Sequence, residues 1–409
     1  MKRKKISRLL TPLSGIMSFM IAMGVMTIPV YAEEINTESA YYEENVKNDY
    51  ATYVNSTAEK NGFKLTISNV TAARNSMKVT ALIECPKAIT QESLYDSIFI
   101  LTVKKSTCES DRAQTKIIDE NTVEVNFEVT SFDDIPKNAD LRFDVIIPEY
   151  NLNAWVSANV DLSKNFDKIV EKDINIYNDK AKIKFSKFQA DVLGVSLYFK
   201  EEEDDRDDYE NRYSDNYSKI LVKCDDKLYE FEDKDYNYDS DVLDGRYTCS
   251  DVTYDKFENA ENVTLIPIIC NLKNKEVDEI YNSMTYDDVD YIETTDNVHY
   301  QTKFKFSDGK DGEVTKVERE DDKVKLYINT DSEKKSLLMA CGTDGRAASK
   351  DSYFYLDVEK TIYKDPDSQY GYIIEFSNVD KDAMLNTYGD DVVLGHSSDF
   401  EFGQEVKVK

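Results

Sequence analysis

The chain has 409 residues, with 80 acidic and 51 basic side chains and a formal charge of −29 at neutral pH. That excess excludes nucleic acid, anionic lipid and polyanionic wall polymers as natural partners and favours cations. A hydrophobic content of 41%, with 11% aromatic, supports packed cores, and 13 glycines and 7 prolines are too few for a low-complexity stalk; the length allows about two to four domains.

The N-terminus places Lys2, Arg3, Lys4, Lys5 and Arg8 ahead of an uncharged apolar run, Leu9 to Ile28, and then Val30-Tyr31-Ala32 before Glu33-Glu34. A basic start, an apolar stretch and small residues at Val30 and Ala32 predict a secretory signal peptide over 1–32. The run also approaches the roughly 20 residues that span a bilayer, so an uncleaved anchor is the alternative. Either way the rest of the chain is expected outside the cytoplasm. Without the five basic residues of the leader, 46 basic groups face 80 acidic ones, a charge of −34. A helical lead-in follows at 33–49, because from Glu38 to Lys60 the residues Tyr42, Val46, Tyr50, Tyr53 and Val54 recur at helical spacing and Gly62 offers a C-terminal stop.

Residues 64–84 read KLTISNVTAARNSMKVTALIE, two runs of alternating apolar residues around a polar turn, which is the pattern of a half-buried hairpin. A shift of 118 residues returns it as KIKFSKFQADVLGVSLYFKEE, with Ile183, Phe185, Phe188, Val195, Leu197 and Phe199 at the places of Leu65, Ile67, Val70, Met77, Val79 and Ala81. A further shift of 129 gives DGEVTKVEREDDKVKLYINTD, which matches at Val314, Val317, Val324, Leu326 and Ile328 and fails only at Gly312. Three such stretches predict tandem modules. The ends agree: an aromatic residue and two alternating apolar ones close each segment, Trp155 with Val160 and Leu162, Tyr300 with Phe304 and Phe306, and Phe402 with Val406 and Val408.

Between these ends lie short strands at Ser97–Val103, Val123–Val129, Leu141–Ile147, Lys219–Val222, Val263–Ile269 and Tyr372–Phe376. Their spacing of about 8–12 residues predicts a mainly β chain of tandem immunoglobulin-like antiparallel β-sandwich modules with one N-terminal helix. The expected modules are 50–168, 169–308 and 309–409. The second is lengthened by acidic inserts at 200–216 and 233–245 and by a short helix around Val277 to Met284.

The stretch DYATYVNSTAEKNGFKLTISNV, from Asp49 to Val70, resembles the extracytoplasmic domain family of unknown function numbered 4179, through Tyr50, Tyr53, Val54, Asn55, Ser56, Gly62, Leu65, Ile67 and Val70. There a Tyr-rich helix runs into a turn, a glycine and a strand, and immunoglobulin-like repeats often follow. The resemblance covers about the first 120 residues after the leader. It implies the outer, sensory region of an anti-sigma-factor-like protein. Only eight residues precede the apolar run here, too few to grip a sigma factor, so the implied role is the outer part alone.

Catalytic chemistry is sparse in the sequence. Its two histidines, His299 and His396, give no zinc-type spacing, and a Ser-His-Asp arrangement at His396 rests on proximity in sequence alone. The expectation is a non-enzymatic chain with no obligatory cofactor. Six cysteines leave pairing open: Cys85–Cys108 and Cys224–Cys249 close loops within one module, and six buried free thiols are the equal alternative. Tyr236, Tyr238, Tyr247 and Tyr254 fall together without defining a sugar site. In DKDYNYDSDVLDG, from Asp233 to Gly245, the residues Asp235, Asn237, Asp239 and Asp241 alternate as candidate calcium ligands of an extracellular type. The favoured reading is an exported non-catalytic binding or sensory protein of the bacterial envelope, meeting a surface protein or envelope ligand. The alternative is a calcium-dependent adhesin or spacer.

Overall fold

The computed structural model describes residues 50–104, 109–110, 113–201, 209–214, 216–231, 233–237, 244–283, 292–348, 355–388 and 392–409. The leader at 1–32 and the lead-in at 33–49 lie outside them. Among the described residues no helix is long and apolar enough to cross a membrane.

The first segment forms β1 (Thr52–Lys60), β2 (Phe63–Ala72), β3 (Ser76–Glu84), α1 (Gln91–Leu94), β4 (Ile98–Lys104), β5 (Glu109–Ser110), β6 (Ala113–Asp119), β7 (Thr122–Thr130), β8 (Asn138–Ile147) and β9 (Leu152–Asp161). They build two facing sheets, β1-β2-β3-β7-β6 and β5-β4-β8-β9. Period-two alternation aims Met77, Val79, Ala81 and Ile83 from one sheet and Leu141, Phe143, Val145 and Ile147 from the other into one core.

The helix expected to run to Lys60 is corrected here, because residues 52–60 are a strand. Thr52, Tyr53, Val54 and Thr57 are β-branched or aromatic residues that suit a pleated surface. A bulge between Tyr53 and Ser56, with Asn55 at φ 49°, resets the alternation and imitates a helical spacing. Asn61 and Gly62 both take positive φ, 55° and 83°, which makes them the two-residue turn of a hairpin rather than the end of a helix.

The second and third segments supply β10 (Ile169–Asn178), β11 (Ile183–Asp191), β12 (Gly194–Glu201), β13 (Lys219–Cys224), β14 (Lys227–Glu230), β15 (Asp233–Tyr236), β16 (Asp244–Cys249), α2 (Tyr254–Asn259), β17 (Val263–Cys270), α3 (Asn274–Ser283), β18 (Ile292–Thr295), β19 (Val298–Gln301), β20 (Lys303–Lys305), β21 (Asp311–Glu320), β22 (Lys323–Asn329), α4 (Glu333–Cys341), β23 (Asp344–Ala348), β24 (Tyr355–Asp357), β25 (Glu359–Lys364), β26 (Tyr372–Ser377), β27 (Met384–Tyr388), β28 (Phe400–Phe402) and β29 (Val406–Lys407). All three repeated stretches are hairpins: β2/β3, β11/β12 and β21/β22. Each first strand carries one extra residue at the same place, a hydroxyl side chain every time: Ser68, Ser186 and Thr315. The surrounding strand order also repeats three times, as β1-β2-β3-β7-β6, β10-β11-β12-β16-β15 and β20-β21-β22-β26-β25.

The second and third segments share one ten-stranded sheet, because β14 pairs with β25 through Lys227 opposite Tyr363 and Leu228 opposite Ile362. The β13-β14-β17 part of that sheet is buried on both faces. Ile220, Val222, Tyr229, Val263 and Leu265 join the core beneath β10–β12, and Leu221, Leu228, Ile266 and Ile268 join the core of the third segment.

The closing strands change places. In the first segment β9 follows β8 and pairs with it along its full length. The strand beside β17 is instead the C-terminal β28, continued by β29, while β19, the next strand pair after β17 in the chain, lies parallel to β27 of the third segment. The sheets therefore cross residue 308: β18–β20 join the sheets of the third segment, and β28–β29 return to the second.

Candidate functional site

The strand registers make Leu65, opposite Ile83, equivalent to Ile183, opposite Glu201, so Phe63 corresponds to Ala181. In the first segment this end of the sandwich is plugged. Phe63 packs on Tyr150 with ring centroids 5.7 Å apart, the Tyr150 hydroxyl donates to Ala88 O at 3.1 Å, and Ile89 and Leu94 are buried beside them. α1 holds Leu94 there because Thr90 and Ser93 cap it reciprocally.

In the second segment the plug is missing from the sequence. Alanine replaces phenylalanine, and the connection that carries Ile89 and Leu94 becomes EEDDRDDYENRYSDNYS, from Glu202 to Ser218. A cavity of about 220 Å³ lies between the two sheets of the second segment. Ile176, Ile183 and Phe185 line it on one sheet and Ile220, Pro267 and Ile269 on the other, with Phe231 and Tyr247 among its walls and Asn178, Ser218 and Lys219 as its polar groups. Phe185 and Tyr247 stand 5.8 Å apart, and Phe199 reaches both at 6.0 and 5.3 Å.

The polar corner is ordered. Asn178 Oδ1 accepts from the backbone N–H groups of Lys180 and Ala181 at 3.1 Å each, and its Nδ2 donates to Ser218 Oγ at 3.5 Å. Ser218 Oγ also accepts from Cys270 N at 3.0 Å. Lys219 Nζ donates to Glu230 Oε1 at 2.6 Å, and Lys360 Nζ to Glu230 Oε2 at 2.6 Å, to Cys341 O at 3.1 Å and to Asp344 Oδ1 at 3.1 Å. Burial works against charge on Glu230, but the two ammonium groups overcome it and hold the carboxyl below its ordinary range. Burial likewise disfavours the charged form of both lysines, and Glu230 overrides it to raise them. Lys219 is thus a neutralised wall of the cavity and not a free cation.

A second buried charge lies at the boundary of the first two segments. Arg246, 1% exposed, donates from an Nη to Ser131 O at 3.1 Å, stacks over Phe132 at 5.2 Å and faces Asp235 Oδ2 at 3.4 Å. Among the candidate calcium ligands, Asp235 is therefore the cross-strand partner of an arginine, and the Asn237 backbone N–H donates to Asp244 O at 2.9 Å. Asp239 and Asp241 lie outside the described residues. Among the described residues no group of three or more acidic, histidine or cysteine side chains is placed to hold a metal.

Of the tyrosine group, Tyr247 lines the cavity, Tyr236 packs on Phe199 at 5.8 Å, Tyr254 lies under Lys168 at 5.5 Å, and Tyr238 is outside the described residues. His299 Nδ1 meets Thr294 Oγ1 at 3.0 Å, and His396 Nδ1 stands 3.9 Å from Asp399. Cys85, Cys224, Cys249, Cys270 and Cys341 are buried and none is in a disulfide; Cys108 is outside the described residues. Burial pushes the thiols of Cys85 and Cys224 up to about 11 and that of Cys341 up to about 12, which leaves them unreactive at neutral pH. No motif in the sequence marks the cavity, whose lining is drawn from strands and loops far apart in the chain, from Ile176 to Ile269.

Asp251, just after β16, accepts from the Lys360 backbone N–H, and burial followed by the nearby charge of Glu359 pushes its carboxyl up to about 6. A carboxyl raised on folding binds its proton more tightly in the folded state, so stability rises as pH falls from 7 toward 4. Asp251→Asn is expected to add about 1–2 kcal/mol at pH 7, the partial exposure of the site taken into account, and to change little at pH 4. Urea melts at the two pH values check this, and equal effects at both would show that Asp251 is ionised in both states alike.

No known protein-family profile matches the chain, and no curated protein matches it. Among solved structures it is similar to the crystal structure of the conserved domain protein from Bacillus anthracis, at 18% identity and a TM-score of 0.42, over 57% of this chain and 82% of that one.

Proposed function

We propose that the chain is an exported, non-catalytic binding protein of the bacterial envelope, with the open end of the second segment as its ligand seat. The carrying observation is the cavity itself. A concave, mostly apolar site with a few convergent polar groups is the usual form of a binding pocket, and it lies where the first segment is plugged by Phe63, Tyr150, Ile89 and Leu94. The basic and apolar N-terminus and the likeness of residues 49–70 to an extracytoplasmic family support placement outside the cytoplasm. The charge of −29 favours a surface protein or envelope ligand over nucleic acid. Membrane attachment would require the apolar run at 9–28 to be retained.

The test is retention of a ligand from envelope extracts by the immobilised chain against an Ile269→Trp variant, in which a ring fills the cavity from its wall. Retention by the wild type and loss by the variant supports the seat. Equal retention by both moves the binding surface elsewhere.

A further inference from the structure

Resting on that seat, we infer that its occupant is a small apolar carboxylate: one ring, or a branched chain of that bulk, ending in an ionised acid group. A dry cavity of about 150 Å³ holds benzene, so about 220 Å³ takes one ring with a short tail and has no room for two fused rings that carry one. Ile176, Ile183, Ile220 and Ile269 wall such a body. The rings of Phe185 and Tyr247, 5.8 Å apart and inclined at 42°, present faces on which a further ring packs favourably.

The polar corner selects the other end, because backbone donors fix the direction of its hydrogen bonds. An N–H can only donate, so Asn178 turns its oxygen to Lys180 N and Ala181 N, and both lone pairs of Oδ1 are used. Its amide nitrogen is left for Ser218, whose Oγ accepts from Asn178 Nδ2 at 3.5 Å and from Cys270 N at 3.0 Å. Both lone pairs of the serine oxygen are then taken. The Ser218 O–H hydrogen and the second Asn178 N–H remain, and neither has an acceptor among the described residues. Lys219, in the same lining, spends one ammonium hydrogen on Glu230 and keeps others. These three side chains offer hydrogens and no free lone pair, so the corner receives an acceptor and turns away an ammonium group.

Charge narrows the acceptor to an anion. Asn178 and Ile183 both line the cavity, and the turn between them carries Lys180 and Lys182 with Asp179 as its one acid. Neither lysine is ion-paired among the described residues, and Lys180 Nζ lies over the Tyr213 ring at 5.2 Å. Burial opposes the charge of Lys219 and Glu230 overrides it, so that ammonium stays protonated. Hydrogen bonds from such donors are shorter and stronger to a carboxylate than to a neutral carbonyl. The chain's charge of −29 opposes an anion at a distance, but screening limits the reach of each distant acid to about 8 Å at physiological salt, and the lysines of the seat decide.

The experiment is equilibrium dialysis of the full chain at pH 7 against phenylacetate, phenylacetamide, phenethylamine, ethylbenzene and 1-naphthylacetate. Phenylacetate is expected to bind at least about tenfold more tightly than phenethylamine or ethylbenzene and about threefold more tightly than phenylacetamide, and 1-naphthylacetate is expected not to bind. Ser218→Ala should erase the preference for phenylacetate over ethylbenzene. Should that variant fold poorly, Lys180→Gln/Lys182→Gln keeps the test open: neither side chain is buried, so melting should be unaltered while phenylacetate binding falls about threefold and phenylacetamide binding stays the same. Ile269→Trp should abolish binding of every probe.

Phenethylamine or ethylbenzene bound as tightly as phenylacetate would overturn the acceptor end, phenylacetamide bound as tightly would overturn its charge, and binding of 1-naphthylacetate would overturn the size. If no probe binds but an envelope ligand is still lost on Ile269→Trp, the seat stands and this occupant falls. If that ligand is also unaffected by the substitution, both fall.

Discussion

Deletion of residues 400–409 is expected to unfold the second and third segments together and to leave the first folded. Phe400 is fully buried in the core of the third segment and Val408 is buried in that of the second, so one short strand pair closes both. Losing a buried phenylalanine costs about 3–5 kcal/mol, the same scale as the whole net stability of a domain, about 5–15 kcal/mol. The deletion also strips the β17 edge of its pairing at Thr264–Leu265 and Ile268–Cys270. The first segment is insulated because its core is drawn from residues between Phe63 and Phe166. Limited proteolysis should yield a resistant fragment near 50–168 from the truncated chain and a larger one from the intact chain. Fragment 169–409 should fold. Fragment 309–409 should not, since Val298, Tyr300, Phe304 and Phe306 of its core lie before its first residue. A cooperative melt from 309–409 alone would show that the exchanged strands are dispensable.

Lys360→Met is expected to cost about 3–5 kcal/mol, because it leaves the Glu230 carboxylate, 8% exposed, with Lys219 alone. The double variant Glu230→Leu/Lys360→Met should recover most of that loss, since Lys219 is only half-buried and can turn to solvent. The pH dependence has a definite sign. Glu230 is held below its ordinary value, so its contribution is complete above that value, about 4.3, and fades as pH falls through the folded one. The raised value of Lys360 keeps its share intact through neutral pH, up to its ordinary value of about 10.4. Melts of the wild type and the two variants from pH 7 to pH 3 should therefore show the single variant's deficit narrowing in acid. A deficit that is flat with pH would assign the loss to packing rather than to the buried pair.

Most strands were legible because alternation is written residue by residue. The stretch Leu141–Ile147 sits within β8, Val263–Ile269 within β17, Tyr372–Phe376 within β26, and the helix near Val277 is α3. The three hairpins were legible for the same reason. What misleads is local: a bulge at Asn55 breaks the alternation of β1, and the Asn61-Gly62 turn resembles a helix stop in sequence. What stayed hidden was the pairing. The pattern that ends in Phe402 looks alike whether its strand joins β27 or β17, because alternation fixes which face is buried and not which neighbour lies alongside. α4 was also missed: its apolar residues Leu337, Leu338, Met339 and Ala340 run consecutively and are all buried, so no amphipathic period marks it. The alternating acids near Asp235 were legible as a cluster, yet the buried Arg246 that engages Asp235 lies eleven residues away across a hairpin.

The exchanged closing strands also set an order of events. A ribosome delivers the chain from its N-terminal side, so the first sandwich is complete once about 168 residues have emerged, whereas the second waits for residues 400–409. Until then β17 offers an open edge. Chains that stop before residue 400 leave that edge exposed to pairing and misassembly, and chains that include β28 and β29 cover it.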